Sequence, residues 1–355
     1  MTAFDDLILP VPPSQLGLSQ NLATRSRDPT PVDDGLASRS LPPLGATTNF
    51  PERHKLVKIK TIDGITLEAL FYEVEGPAAA VVMSHGFNCV KEMSLADTAE
   101  AFHSAGFNVL LYDSRGVGGS EGMPRNQIDP VKMVEDISDV VSFTAALSSV
   151  DSRRILLWGM SFGATVSGVA ATVDRRVAGV LMVCPIFGFV RADRRAGVFA
   201  QLMRDRRSQL RGNAPFTIPP FDSRGENPAG FAGAGGAGGR EAYGLMRAAA
   251  ERGHPNFRDR ITLQTYHKLA LFRPKELLAD MLEGIPTMMV VPELDEMSPP
   301  AEQCAVFESL KTPKRLYYVV GEGHMSILTG EGSVALRETM IEFFNSALEG
   351  KIVLE

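Results

Sequence analysis

The most informative string in this 355-residue chain is Gly159-Met160-Ser161-Phe162-Gly163. A serine hydroxyl becomes useful for nucleophilic attack when it sits on a strained strand-to-helix turn. Tiny residues are then needed two positions either side, because any Cβ there would collide with the adjoining backbone. The apolar run Ile155 to Trp158 precedes the string and the small-residue run Ala164 to Ala171 follows it. That context raises a pattern which often occurs by chance into a strong signal. Such a turn projects Oγ out of the fold and aims a helix N-terminus at developing negative charge.

A serine hydroxyl is a poor nucleophile until a base takes its proton, so a histidine is required downstream, with an acid before it. His324, in Gly321-Glu322-Gly323-His324-Met325, follows the apolar run ending at Val320, and Asp295 follows the run ending at Val291. The order Ser161, Asp295, His324 is the one a strand-turn-helix nucleophile uses. Glu293, two residues from Asp295, is the rival acid. His54, His103, His254 and His267 fit bland packing or exposure. His85, in Ser84-His85-Gly86-Phe87, reads as a loop organiser, and Asp113 as the residue that ties down Arg115-Gly116-Val117-Gly118-Gly119. An oxyanion needs two preorganised N–H donors. Phe162, next to the nucleophile, offers one, and Phe87, after the tight turn Gly86 allows, offers the other; an ordinary glycine turn is the bland reading of that loop.

The elements that must position these groups follow from hydrophobic period. Leu56 to Lys60, the Asp63-Gly64 turn and Ile65 to Val74 predict a β-hairpin. Buried-strand runs over 79–83, 108–112, 155–158 and 177–183 alternate with helix-length segments near 92–105, 130–148 and 162–173. The alternation resumes with a strand over 287–291, a helix over 300–310, a strand over 315–320 and a helix over 333–348. Alternating strands and helices imply a mostly parallel sheet wrapped on both faces, an α/β fold. Between Pro185 and Gly284 the alternation stops, and helices over 190–211, 240–252, 257–272 and 274–282 predict an inserted helical cap. Its Gly/Ala stretch, 230–239, buries too little side chain to offset its ordering entropy and predicts a mobile loop. The expected organisation is an arm over 1–50, a core over 51–184 and 285–355, and a cap over 185–284. The arm carries Pro10, Pro12, Pro13, Pro29, Pro31, Pro42 and Pro43 without apolar period. It reads as an extended strap on the core, or else as a part of dimer contact or lid support, which keeps a homodimer open.

Composition bounds the rest. With 36 Lys plus Arg against 42 Asp plus Glu, the formal charge is −6, so a global basic field for nucleic acid is absent. Cys89, Cys184 and Cys304 are odd in number and widely spaced, giving neither a disulfide framework nor a zinc signature. No run approaches the length of a membrane span, and no secretory pattern opens the chain, so a cytoplasmic location is the residual expectation.

These residues carry a family resemblance. Ser84-His85-Gly86-Phe87, Tyr112-Asp113-Ser114-Arg115-Gly116-Val117-Gly118-Gly119-Ser120, the serine elbow, Asp295 with Pro299, and Gly323-His324 resemble the α/β-hydrolases over roughly 52–184 and 285–349. The family's nucleophile, acid and base then fall on Ser161, Asp295 and His324, with no metal or other cofactor expected. HGFNCVKE, from His85 to Glu92, and the helical cap look like fungal polyketide-processing hydrolases and polyketide transferases. That narrower resemblance implies an acyl ester or thioester held on the carrier domain of a synthase and passed to water or an alcohol. A carbon–carbon bond hydrolase or lyase on the same scaffold, and a non-catalytic small-molecule receptor, are the alternatives. Arg191, Arg194, Arg195, Arg204, Arg206, Arg207 and Arg211 crowd one cap segment. They read as a solvated face with intrahelical pairs, or as a dock for an acidic carrier or a carboxylate, with Arg204, Arg206 and Arg207 as the contacts. Phe199, Phe216, Phe221 and Phe231 fit either an acyl tunnel or ordinary packing.

Overall fold

The computed structural model describes residues 54–231, 236–254 and 256–353, so the expectations for the arm lie outside the described residues. The predicted hairpin is present as β1 (His54–Lys60) and β2 (Thr66–Tyr72), paired antiparallel from His54↔Tyr72 to Lys60↔Thr66. Then follow β3 (Ala78–Ser84), α1 (Ala96–Ser104), β4 (Asn108–Tyr112), α2 (Pro130–Ala145), β5 (Val150–Met160), α3 (Phe162–Val173) and β6 (Val177–Val183). After a long insertion come β9 (Thr287–Pro292), α8 (Pro300–Ser309), β10 (Lys314–Val319), a 3-10 turn at Ser326–Leu328 and α9 (Ser333–Leu348).

The eight strands run in the order β1-β2-β4-β3-β5-β6-β9-β10, antiparallel at β1/β2 and β2/β4 and parallel elsewhere. This is the α/β-hydrolase architecture: a mostly parallel sheet with helices around it. Parallel strands covered on both faces should be apolar throughout, and β4 and β9 are buried at every position. Helices coat each face. One core joins Val82, Leu157 and Met182 to α2, α3 and Leu278; the other joins Trp158 and Leu181 to Phe102 of α1 and Phe344 of α9. Trp158 is fully enclosed, and its indole N–H points at Met340 Sδ, 3.3 Å away. Truncating such a ring to Ala costs about 3–5 kcal/mol. Helix α2 starts where Asp129 accepts from Lys132 N and Pro130 occupies the first turn, whose N–H has no intrahelical acceptor to lose.

The segment between β6 and β9 holds α4 (Arg195–Leu210), β7 (Thr217–Ile218), α5 (Gly236–Glu251), β8 (Ile261–Thr262), α6 (Thr265–Leu271) and α7 (Pro274–Met281). Two sequence expectations change here. The helix expected over 257–272 is instead β8 followed by α6, because Thr262 and Ile261 pair with β7 and Thr262 N donates to Asn126 O. Part of the Gly/Ala stretch, Gly236 to Gly239, is the first turn of α5 rather than a mobile loop. Ala237 N and Gly238 N donate to the Glu296 carboxylate at 2.5 and 3.2 Å, supplying acceptors the helix start lacks. A Cβ on Gly239 would stand 2.3 Å from Gly225 O, so glycine here serves close packing.

Candidate active site

Ser161 sits between β5 and α3 at φ 58°, ψ −122°, a backbone conformation that L-residues rarely adopt and that persists only where the surroundings enforce it. The enforcing contacts are visible. Ser161 N donates to Val183 O of β6 at 2.8 Å. A Cβ on Gly159 would meet Gly163 O at 2.4 Å, and one on Gly163 would meet His85 O at 2.3 Å, so both flanking glycines are required.

Three side chains that the sequence singled out form one continuous hydrogen-bonded line. Ser161 Oγ lies 2.8 Å from His324 Nε2, and His324 Nδ1 lies 2.9 and 3.0 Å from the two Asp295 oxygens. All three are buried. Asp295 is itself fixed: Oδ1 accepts from Met297 N and Ser298 N at 2.9 and 2.8 Å, and Oδ2 from Gln303 Nε2 at 3.0 Å. Burial disfavours a charged imidazole, but the Asp295 carboxylate against the ring favours one, and the balance holds His324 above the ordinary histidine range. Cys184 touches the ring too, with Sγ 4.0 Å from Nε2, but burial pushes its thiol up, so it adds no charge at neutral pH. A hydroxyl on an imidazole oriented by a buried carboxylate is the arrangement that removes a proton as attack proceeds.

The rival acid is elsewhere. Glu293 is exposed and accepts from Gly321 N at 2.8 Å. His85 does organise its loop: Gly86 N donates to its Nδ1 at 2.6 Å, so Nε2 carries the proton toward Met93 O at 2.5 Å, and burial lowers its pKa to about 4, keeping the ring neutral. That loop runs beside Ser161, since a Cβ on Gly86 would stand 3.5 Å from Ser161 Cβ. Phe87 follows, its ring edge-on to Phe162 at 5.5 Å. Phe162 N–H belongs to the first turn of α3, where no intrahelical acceptor exists.

Arg204, Arg206 and Arg207 of α4 are exposed and without an ion pair among the described residues. The two acids within the arginine cluster divide: Asp193 pairs with Arg191, whereas Asp205 turns inward and accepts from Phe216 N and Gln264 Nε2. The phenylalanines divide as well. Phe199 and Phe216 are exposed, whereas Phe221 and Phe231 are buried, and Phe231 stacks on Phe87 at 5.0 Å. Sequence reading missed Gln303, Cys184 and the buried Lys91, which binds Glu68, Glu92 and Asp113 at 2.8–2.9 Å. Asp113 also accepts from Gly119 N, tying down its loop as expected. Cys184 had a readable signal, its place directly after a parallel strand; Gln303 and Lys91 had none.

The family model Hydrolase_4, described as serine aminopeptidase, S33, matches residues 75–329. A thiohydrolase of Eupenicillium brefeldianum is 38% identical over 296 residues, 83% of this chain and 94% of its own length. Polyketide transferase af380 of Aspergillus fumigatus is 37% identical over 297 residues, 82% of this chain and 98% of its own. Among solved structures, DcsB in complex with its substrate analogue matches with a TM-score of 0.81 at 54% identity, over 83% of this chain and 99% of that one. The chain belongs to the Hydrolase_4 family of α/β-hydrolases. It is therefore a hydrolase or an acyltransferase.

Proposed function

We propose that the protein cleaves acyl esters or thioesters of polyketide type through an acyl-Ser161 intermediate. The observation that carries this reading is the unbroken line from Ser161 Oγ through His324 to Asp295. Relatives called thiohydrolase and polyketide transferase support the substrate class, and in this reading a carrier domain presents the acyl group as a thioester. Oγ attacks the acyl carbon while neutral His324 takes its proton at Nε2, and Asp295 orients the ring and stabilises the imidazolium. The N–H groups of Phe87 and Phe162 receive the oxyanion. Collapse expels the thiol, which takes the proton from His324. Water or an alcohol, deprotonated by the same histidine, then attacks the acyl-serine carbon and releases the acid or ester. Residues 185–284 act as a cap over this chemistry, and Arg204, Arg206 and Arg207 meet the acidic carrier.

A fluorophosphonate probe followed by peptide mass spectrometry tests the nucleophile. One equivalent of adduct on Ser161, with none in His324→Ala, is expected. Full labelling elsewhere, or none, would overturn the reading.

A further inference from the structure

A concave region lies at the carboxyl edge of the sheet, where the loop after β4 faces the stretch before β8. It is a cavity of about 320 Å³ lined by Gly118 to Glu121, Arg125 and Asn256 to Arg258. Two arginines face it, and neither has an ion pair among the described residues. Arg125 is half-buried and donates to the carbonyls of Ser120 and Gly118. A guanidinium has five N–H donors, so these two bonds leave three. Arg258 is exposed. The one carboxylate in the lining, on Glu121, is engaged with Thr66 N at 2.7 Å. Burial first, and then the neighbouring Arg258 charge, disfavour the Arg125 cation, against the smaller opposite pull of Asp113.

The cavity is joined to the candidate active site by a short chain of contacts. Arg258 O accepts from Asn88 Nδ2 at 2.9 Å, and Asn88 Oδ1 accepts from Asn126 Nδ2 at 2.7 Å. Asn88 belongs to the same tight loop as Gly86, which lies against Ser161. Phe257 adds an apolar wall. Paired guanidinium groups match phosphate oxygens in charge and fork geometry. Resting on the thioester reading above, we propose that this cavity is an anion site in which Arg125 and Arg258 take the phosphate of the donor's phosphopantetheine arm. The arm's thioester end then reaches Ser161 past the Gly86–Asn88 loop.

Hexanoyl-4′-phosphopantetheine and hexanoyl-pantetheine present the same thioester and differ only in the phosphate. The wild-type kcat/KM should favour the phosphorylated donor by about tenfold or more, a typical yield for one charge-assisted contact. Arg258→Gln should remove most of that preference while leaving hexanoyl-pantetheine within about twofold. Arg125 also braces its loop, so the exposed Arg258 is the cleaner variant, and Arg125→Lys is the second. Equal turnover of both donors by the wild type, or equal losses on both in Arg258→Gln, would overturn the proposal. Calorimetry on Ser161→Ala separates it from the catalytic reading, because 4′-phosphopantetheine should bind more tightly than pantetheine whether or not Ser161 is the nucleophile. Inorganic phosphate binding as tightly as 4′-phosphopantetheine would make the cavity a free-phosphate site and end the assignment to the arm.

Discussion

The carboxyl edge of the parallel sheet and the segment between β6 and β9 are built on different terms. At the edge, Ser161 follows β5 directly, Cys184 follows β6, and Asp295 and His324 stand within five residues of β9 and β10. Ser161, Cys184 and Asp295 each follow a strand paired on both sides, whereas His324 follows the edge strand β10, which pairs with β9 alone. In the segment, order depends on side chains reaching across sequence: Asn227 bonds Ala229 N, Phe231 N and Tyr266, and Asp205 bonds Phe216 N and Gln264. Chemistry that must hold its geometry within fractions of an ångström belongs on the first kind of support. The polar contacts at the segment's loops open at lower free energy than the buried strands, which suits substrate passage, while Leu202, Phe231 and Tyr266 anchor the segment in the core.

The comparison breaks first if the edge does not carry the reaction. Ser161→Ala should reduce turnover of a p-nitrophenyl ester by about 10⁶, with the double variant Ser161→Ala/His324→Ala scarcely worse, because residues acting as a unit are non-additive. Activity near the wild-type level in Ser161→Ala would remove the edge from the mechanism.

Next in size is Asp295→Asn, expected to cost on the order of 10⁴ in rate, whereas Glu293→Gln, whose carboxylate holds Gly321 N, should cost little. The pH profile adds a sign. The reactive form is the neutral imidazole, so kcat/KM should rise with pH along a limb above 6.5, the ordinary histidine value. Removing the Asp295 charge should move that limb down, because burial then acts on the ring with less to oppose it. An unmoved limb would mean that His324 is not the titrating base.

The same contrast decides what the sequence made legible. Strand runs were readable because strands buried on both faces must be apolar throughout, and the elbow was readable because Gly159 and Gly163 answer to steric limits that are local to it. His324 and Asp295 followed from chain order and strand ends. Gln303, which holds Asp295 from α8, was not readable, since a side-chain amide eight residues on from its partner has no periodic signature. Lys91 was hidden for a related reason: its three carboxylates come from β2, from the next residue and from the loop after β4. In the segment between β6 and β9, the glycines looked like entropy without reward, and the compensating acceptor, Glu296, lies about 60 residues away.

A smaller effect sharpens the comparison from the segment's side. Reversing charge at Arg204, Arg206 and Arg207, all exposed, should lower kcat/KM on a carrier-bound acyl thioester by about tenfold at low salt, since steering by surface charge fades with ionic strength. A p-nitrophenyl ester should stay within about twofold. Equal losses on both substrates would mean that the segment is needed for the chemistry itself.

The smallest expected effect lies where the two regions meet. Glu296 is the neighbour of Asp295, but its carboxylate points the other way, onto Ala237 N and Gly238 N at the start of α5. Loss of such an acceptor costs about 0.5–2 kcal/mol. In a chain of this size that lowers Tm by a few degrees. Glu296→Ala should therefore speed amide hydrogen exchange in α5 and leave it unchanged in β5 and β6, with burst labelling of Ser161 retained. The reasoning is that a helix start freed of its acceptor frays locally, whereas Asp295 keeps Met297 N, Ser298 N and Gln303. If exchange instead rose together in α5 and in the strands, the two regions would be one cooperative unit, and the placement of chemistry on one and passage on the other would have no physical basis.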